Sequence, residues 1–208
     1  MCNLYSSTLP PDAMRQIFNI ARDRDHLGNA EPRSEIYPDQ KAPIVRTSDK
    51  GHELVSARWG MPTPPMYIKN ADRGVTNIRN TASPHWRRWL GPESRCLVPF
   101  TAFAEPRGKG KGNAWFRFED DRPACFAGIT VASWTSVRKV KDGETTDDLF
   151  GFLTTEPNAE VGAIHPKAMP VILTEPDDWG KWMCAQWSEA KALQRPLPEG
   201  LLVILRWC

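Results

Sequence analysis

The stretch RCLVPFTAFAE at residues 95–105, followed by AWFRF at 114–118 and ACFAGITVAS at 124–133, decides how this chain folds. Each run is short, rich in aromatic and β-branched residues, and bounded by turn formers, as strands are. Gly108-Lys-Gly-Lys-Gly112 joins the first run to the second as a flexible turn. Upstream, residues 42–46 and 53–59 flank Asp49-Lys50-Gly51 and read as a hairpin. Downstream, Asp142-Gly143 marks a turn before a strand at 149–155, and residues 171–173 and 201–206 are extended. Helices fall between these runs. Met14, Ile17, Phe18 and Ala21 follow Pro10-Pro11-Asp12 at helical spacing. Ser83, as N-cap, and Gly91 bracket a short helix. Others are expected at 158–164, from Thr174-Glu-Pro-Asp177 into Trp182 and Met183, and at 188–194. With no linker or repeat in view, the expectation is one α+β domain over 1–208. Its sheet is curved or barrel-like and mostly antiparallel, with short flanking helices.

Composition narrows the function. Forty per cent of the 208 residues are apolar and the net charge is only +2, so any nucleic-acid binding needs a local basic patch. Nine Trp and nineteen Pro favour a loop-rich, aromatically packed fold over a helical bundle. The five Cys are odd in number, form no CxxC and have no zinc-finger spacing with His. The expectation is therefore no metal, no cofactor and a reducing, cytoplasmic setting. The N-terminus lacks the basic and apolar regions of a signal peptide. No apolar run approaches the ~18 residues of a membrane span.

Cys2 carries the most chemistry. Cys is small enough to permit removal of Met1, which would leave one residue bearing both an α-amine and a thiol. An α-amine titrates near ~7.8 and a Lys near ~10.4, so at pH 7 roughly 15% of the former is neutral against about 0.04% of the latter. Such an amine condenses with an aldehyde without much activation, and the neighbouring thiol can close a thiazolidine ring.

Three other stretches carry polar residues where packing alone does not call for them: Thr76-Asn-Ile-Arg-Asn80, Phe103-Ala-Glu-Pro106, and Ile164-His-Pro-Lys-Ala-Met-Pro170. Singly, each has a simpler account. Glu105 suits a strand end, His165 a helix C-terminus, and Asn77 a turn.

Together with Met1-Cys-Asn-Leu-Tyr5, Tyr37-Pro38, Arg58-Trp-Gly-Met-Pro62, Arg95-Cys-Leu-Val-Pro99 and Met169-Pro-Val-Ile-Leu173, they resemble the SOS response-associated peptidase family over nearly the whole chain. The resemblance implies recognition of abasic sites in single-stranded DNA and a covalent thiazolidine crosslink through Cys2 exposed by removal of Met1. It also implies autoproteolytic peptidase and lyase activity. Carried onto this sequence, the catalytic set is Cys2, Asn77, Glu105 and His165. Arg79 and Thr154 become DNA contacts, with Lys167, Arg58 and Trp59 as further candidates. Arg87, Arg88, Trp86 and Trp89 could extend a basic, stacking groove, although a solvated helix face and core packing explain them as well.

The chain departs from the family at Asn3-Leu4, at Pro106 after Glu105, at Pro64-Pro-Met-Tyr67, and at Pro166-Lys-Ala168. These alter the expected DNA footprint more than the chemistry, since Lys lacks the bidentate fork of Arg. Glu105 at the end of an apolar strand is expected to carry a raised pKa suited to proton transfer, with His165 as its partner. If the strand continues through Arg79, Asn77 and Arg79 share a face. The expected partner is abasic single-stranded DNA, bound by a monomer and away from membranes. A Cys-dependent autopeptidase and a non-catalytic single-strand-binding module are the alternatives.

Overall fold

The structure is a computed structural model that describes residues 2–205. Met1, Arg206 at the end of the last expected strand, and Cys208 lie outside the described residues. The strands are β1 (Leu4–Ser7), β2 (Arg33–Ile36), β3 (Lys41–Ser48), β4 (Gly51–Trp59), β5 (Asn77–Ile78), β6 (Arg95–Phe100), β7 (Ala102–Pro106), β8 (Asn113–Phe118), β9 (Ala124–Lys139), β10 (Gly143–Thr155), β11 (Met169–Pro170), β12 (Ile172–Leu173) and β13 (Leu202–Leu205). The helices are α1 (Pro11–Ile17), α2 (Pro84–Arg87), α3 (Ala159–Gly162), α4 (Pro176–Cys184) and α5 (Trp187–Ala190).

Strands β10, β4, β3, β6 and β9 pair in that order, and β9 pairs back with β10, closing a five-stranded barrel. Every pairing in the ring is antiparallel except β10 with β4. A separate antiparallel sheet runs β13-β8-β7-β1-β2. The expected α+β architecture, with a barrel-like, mostly antiparallel sheet and short flanking helices, is therefore present.

The stretch at 95–105 is two strands rather than one. All six residues of β6 are buried in the barrel wall, and β7 belongs to the other sheet. The break falls at Thr101, whose N–H donates to Ser6 O at 2.8 Å and whose hydroxyl pairs with Ser6 Oγ at 2.9 Å. The run is apolar throughout because its two halves are buried against different surroundings. β9 and β10 both extend past the expected ends into a long ribbon, turned at Gly143 with φ of +69°. Ser83 occupies the N-cap of α2 but makes no side-chain cap bond, and Glu175 replaces Thr174 as the N-cap of α4.

Alternation along the barrel strands divides the core. Ile44, Val55, Trp59, Val98, Phe126, Phe150 and Phe152 pack with Tyr5, Phe103 and Phe116 of the sheet. Val45, Leu54, Leu97, Ile129 and Leu153 pack with the helix residues Met14, Trp86, Trp182 and Met183. Tyr5 is the pin between sheet and barrel. Its ring lies edge-on to Trp59 at 5.1 Å and to Phe126 at 5.6 Å, a favoured aromatic geometry. Cys2 lies three residues before this pin and is buried in the same core cluster.

Candidate functional site

β1 lies between β2 and β7, with Leu4 opposite Ala104 and Tyr5 opposite Phe103. Extending that register backwards brings the chain at Cys2 alongside the Glu105 end of β7. Cys2 is fully buried in the described structure, and its thiol donates a weak hydrogen bond to Leu4 O at 3.5 Å. Burial, and then the charge of Glu105, push its pKa well above the ordinary value.

Glu105 is likewise inaccessible to solvent, and burial raises its pKa from 4.5 to about 7. His165 Nε2 stands 3.9 Å from Glu105 Oε2. The imidazole is mounted just past α3, where the His165 N–H donates to Val161 O at 2.7 Å. Asn158 caps that helix through Val161 N–H and is itself tied to Leu197 O. Burial lowers the His165 pKa, and the nearby Lys167 ammonium acts in the same direction. At neutral pH the pair therefore consists of a largely neutral imidazole beside a carboxyl group close to its midpoint, suited to moving protons in either direction.

Asn77 closes the other side. Its Nδ2 donates to Cys2 O at 2.8 Å and to Thr76 Oγ1 at 2.9 Å, and lies 3.4 Å from Asn3 Oδ1. Its Oδ1 is buried and has no hydrogen-bond partner among the described residues. β5 holds it opposite Phe152 of β10. The loop leading to β5 is drawn shut at its neck, where Met61 and Val75 bridge and Gly60 and Gly74 touch backbone to backbone at positive φ. A Cβ on Gly74, at φ of +76°, would lie 2.9 Å from Gly60 Cα, which explains the glycine at that position. The Arg138 guanidinium staples the neck by donating to Gly60 O and Asp72 O.

Cys2, Asn77, Glu105 and His165, drawn from four distant segments, thus converge on one site. The other candidates are placed differently. β5 ends at Ile78, so strand alternation does not reach Arg79. The Arg79 guanidinium is about half exposed and pairs with Glu156 at 3.3 Å. Thr154 is buried on β10, with a hydroxyl that has no partner among the described residues. Lys167 is exposed near His165.

Arg58 and Trp59 do not fit the expected DNA contacts. The Arg58 guanidinium is engaged by Asp39 at 3.3 Å and Asp147 at 3.4 Å, carboxylates that Lys139 and Lys41 share, so it is tied into a local ion-pair network. Trp59 has no exposed surface, stacks on Phe152 at 5.2 Å and donates Nε1–H to Thr76 O. It offers no ring face to a base, and its role is to hold Thr76 beside Asn77. Trp86 and Trp89 are also buried, while Arg87 and Arg88 are exposed.

Four residues near the site had gone unassigned: Asn3, Thr76, Glu156 and Gln194. Thr76 belongs to the stretch that carries Asn77 and could have been found there. Gln194 lies more than a hundred residues away and carries no sequence signal. Among the described residues, no cluster of His, Cys, Asp or Glu could hold a metal ion, and no helix is long and apolar enough to cross a membrane.

A family model described as SOS response associated peptidase (SRAP) matches residues 1–205. A solved protein from Bordetella bronchiseptica is 23% identical, covers 98% of both chains and superposes with a TM-score of 0.72. A protein from Bacteroides thetaiotaomicron is 20% identical over 98% of this chain and 90% of its own, also with a TM-score of 0.72. A phage-related protein from Bordetella bronchiseptica is 22% identical over 98% and 93%, with a TM-score of 0.71. At these identities the three structures establish a shared fold. No curated protein matches the chain.

Proposed function

This chain belongs to the SOS response-associated peptidase family, and from that premise we propose that it captures abasic sites in single-stranded DNA as a covalent adduct of Cys2. Membership ties the protein to the SOS response and DNA damage. The observation that carries the finer reading is the seat of Cys2. The residue is buried beside Glu105, a carboxyl group titrating near neutrality, and its carbonyl is clamped by Asn77 at 2.8 Å.

The chemistry begins with removal of Met1, which frees the Cys2 α-amine. The amine adds to the aldehyde carbon of the ring-opened deoxyribose to give a carbinolamine. Loss of water leaves an imine. Sγ then adds to the imine carbon while its proton passes to nitrogen, closing the thiazolidine with a net loss of one water. Protonated Glu105 donates to the departing hydroxyl, and the Glu105–His165 pair takes up and returns the sugar hydroxyl proton during ring opening. Asn77 Oδ1, a buried acceptor without a partner among the described residues, suits an ammonium or amine N–H. Arg79 and Lys167 neutralise phosphates on either side of the lesion, while the Thr154 hydroxyl is buried and reaches no DNA in this arrangement. The thiazolidine route needs the Cys2 α-amine and a peptidase route does not, so blocking that amine separates the two.

The test compares Cys2→Ser with Cys2→Ala on an abasic oligonucleotide. Both variants keep the α-amine once Met1 is removed and lack only the thiol, so borohydride should trap an imine with either, and without it neither should give a heat-stable adduct. Acetylating the N-terminus of mature wild-type protein should abolish crosslinking. A heat-stable adduct from Cys2→Ala, or undiminished crosslinking by acetylated protein, overturns the proposal.

A further inference from the structure

Gln194 stands at a junction that the catalytic set does not explain. Its Nε2 donates both protons to main-chain carbonyls, to Arg79 O at 2.9 Å and to Thr154 O at 3.0 Å. Its Oε1 accepts from the Thr81 hydroxyl at 3.0 Å. One amide thus ties the segment leaving β5, which carries Arg79, to the far end of β10 in the barrel wall.

The mounting of this amide is rigid. Gln194 follows the short turn after α5, with its N–H donating to Lys191 O at 3.1 Å. Ala190 and Leu193, just before it, are buried in the cluster formed by Trp179, Trp182 and Met183. The C-terminal helical segment therefore has a packed base and a polar tip that reaches the site.

Arg79 needs such support. β5 supplies only two residues of strand and stops at Ile78, so no further ladder bonds fix the Arg79 main chain. Beyond it, the main-chain bonds of Thr81 N to Arg79 O at 3.2 Å and Ser83 N to Asn80 O at 3.2 Å are local turns. They shape the segment without anchoring it to the barrel. The Gln194 amide makes that anchor.

We infer that Gln194 is a positioning residue for the phosphate clamp: it sets where Arg79 stands relative to Thr154 and so tunes DNA affinity without entering the chemistry at Cys2. The inference rests on the proposed DNA reading. A main chain held in place presents the Arg79 side chain to a phosphate without first losing backbone freedom, and that saving appears in binding rather than in bond making.

The experiment uses Gln194→Met, which keeps length and packing but removes the amide, and Gln194→Glu, which sets a carboxylate against two carbonyls. Crosslinking rates are measured against concentration of abasic single-stranded DNA. Losing these neutral hydrogen bonds should raise half-saturation roughly fivefold in Gln194→Met. Gln194→Glu should raise it further, while the rate at saturation stays within about twofold for both.

In an Arg79→Ala background, Gln194→Met should have no further effect, because it acts through Arg79. Unchanged half-saturation, a fall in the saturated rate alone, or full additivity with Arg79→Ala overturns the inference. Amide exchange of the 79–81 segment gives a readout that does not depend on DNA. It should speed up in Gln194→Met while the barrel strands keep their protection, and unchanged exchange also overturns the inference. If wild type itself forms no adduct while exchange changes as expected, the DNA reading fails and the anchoring of Arg79 stands.

Discussion

Replacing Glu105 by Gln should strengthen the fold and weaken the chemistry, each by an amount the structure sets. Glu105 is fully buried, and burial lifts its pKa from 4.5 to about 7. A carboxyl group with a raised folded pKa binds its proton more tightly in the native state than in the unfolded one. Between pH 4.5 and 7 the native state therefore holds more protons, and stability falls as pH rises through that window. Below it both states are protonated, and above it both are ionised. The span is worth on the order of 3 kcal/mol. Gln has the same shape and no charge to desolvate. At about pH 8, the Glu105→Gln variant should be more stable than wild type by up to about 3 kcal/mol, and at about pH 4 the two should nearly coincide.

Urea unfolding of both proteins at a series of pH values gives the comparison directly. Adduct formation at pH 7 should meanwhile slow at least ~10-fold in the variant, the lower end of what a general acid–base group contributes. Parallel stability curves for the two proteins would show that Glu105 is not held in a charge-penalising site. An unchanged crosslinking rate would show that its proton takes no part.

The remaining expectations address other parts of the site. His165→Gln should slow release of the adduct at least as much as its formation, by ~10-fold or more, in a chase with excess unlabelled abasic DNA; wild-type release would remove His165 from the mechanism. Arg79→Ala should weaken binding to abasic and intact single strands alike and lower the slope of log affinity against log salt by about 0.7. Glu156→Gln removes the carboxylate that pairs with Arg79 at 3.3 Å and should tighten binding by roughly twofold to fivefold; weaker binding would mean that Glu156 orients Arg79 rather than competing for it. Trp59→Ala should destabilise the protein by about 3–5 kcal/mol in denaturant unfolding, as a core residue does; an unaltered midpoint with weaker DNA binding would return Trp59 to the DNA surface.

The strand content and the barrel-like sheet were legible because short apolar runs alternate with Gly, Asp-Gly and Pro punctuation. The division into barrel and sheet was not. The stretch at 95–105 is apolar on both sides of Thr101, so no change of period marks the point where β6 leaves the barrel wall and β7 enters the sheet. β1 was equally hidden: Leu4-Tyr-Ser-Ser7 is buried at all four positions and is too short to show a period. The convergence of Cys2, Asn77, Glu105 and His165 followed from motif resemblance, since no local pattern links residues so far apart in the chain. Arg58 and Trp59 misled for a physical reason. A basic residue beside an aromatic reads as a nucleic-acid contact, but Asp39 and Asp147 draw Arg58 into an ion-pair network, and strand alternation turns Trp59 inward. Gln194 gave no signal because a lone amide after a helix is ordinary until the fold carries it to Arg79 and Thr154.

The central claim is that the Cys2 amine and thiol together close a ring on an abasic sugar. Intact mass spectrometry of mature protein incubated with an abasic single-stranded oligonucleotide tests it most directly. The account predicts a species equal to the chain without Met1 plus the oligonucleotide minus one water, stable to heat without reductant and absent with intact DNA. Met1 retained in the crosslinked species, or an adduct that survives only after borohydride reduction, would contradict it.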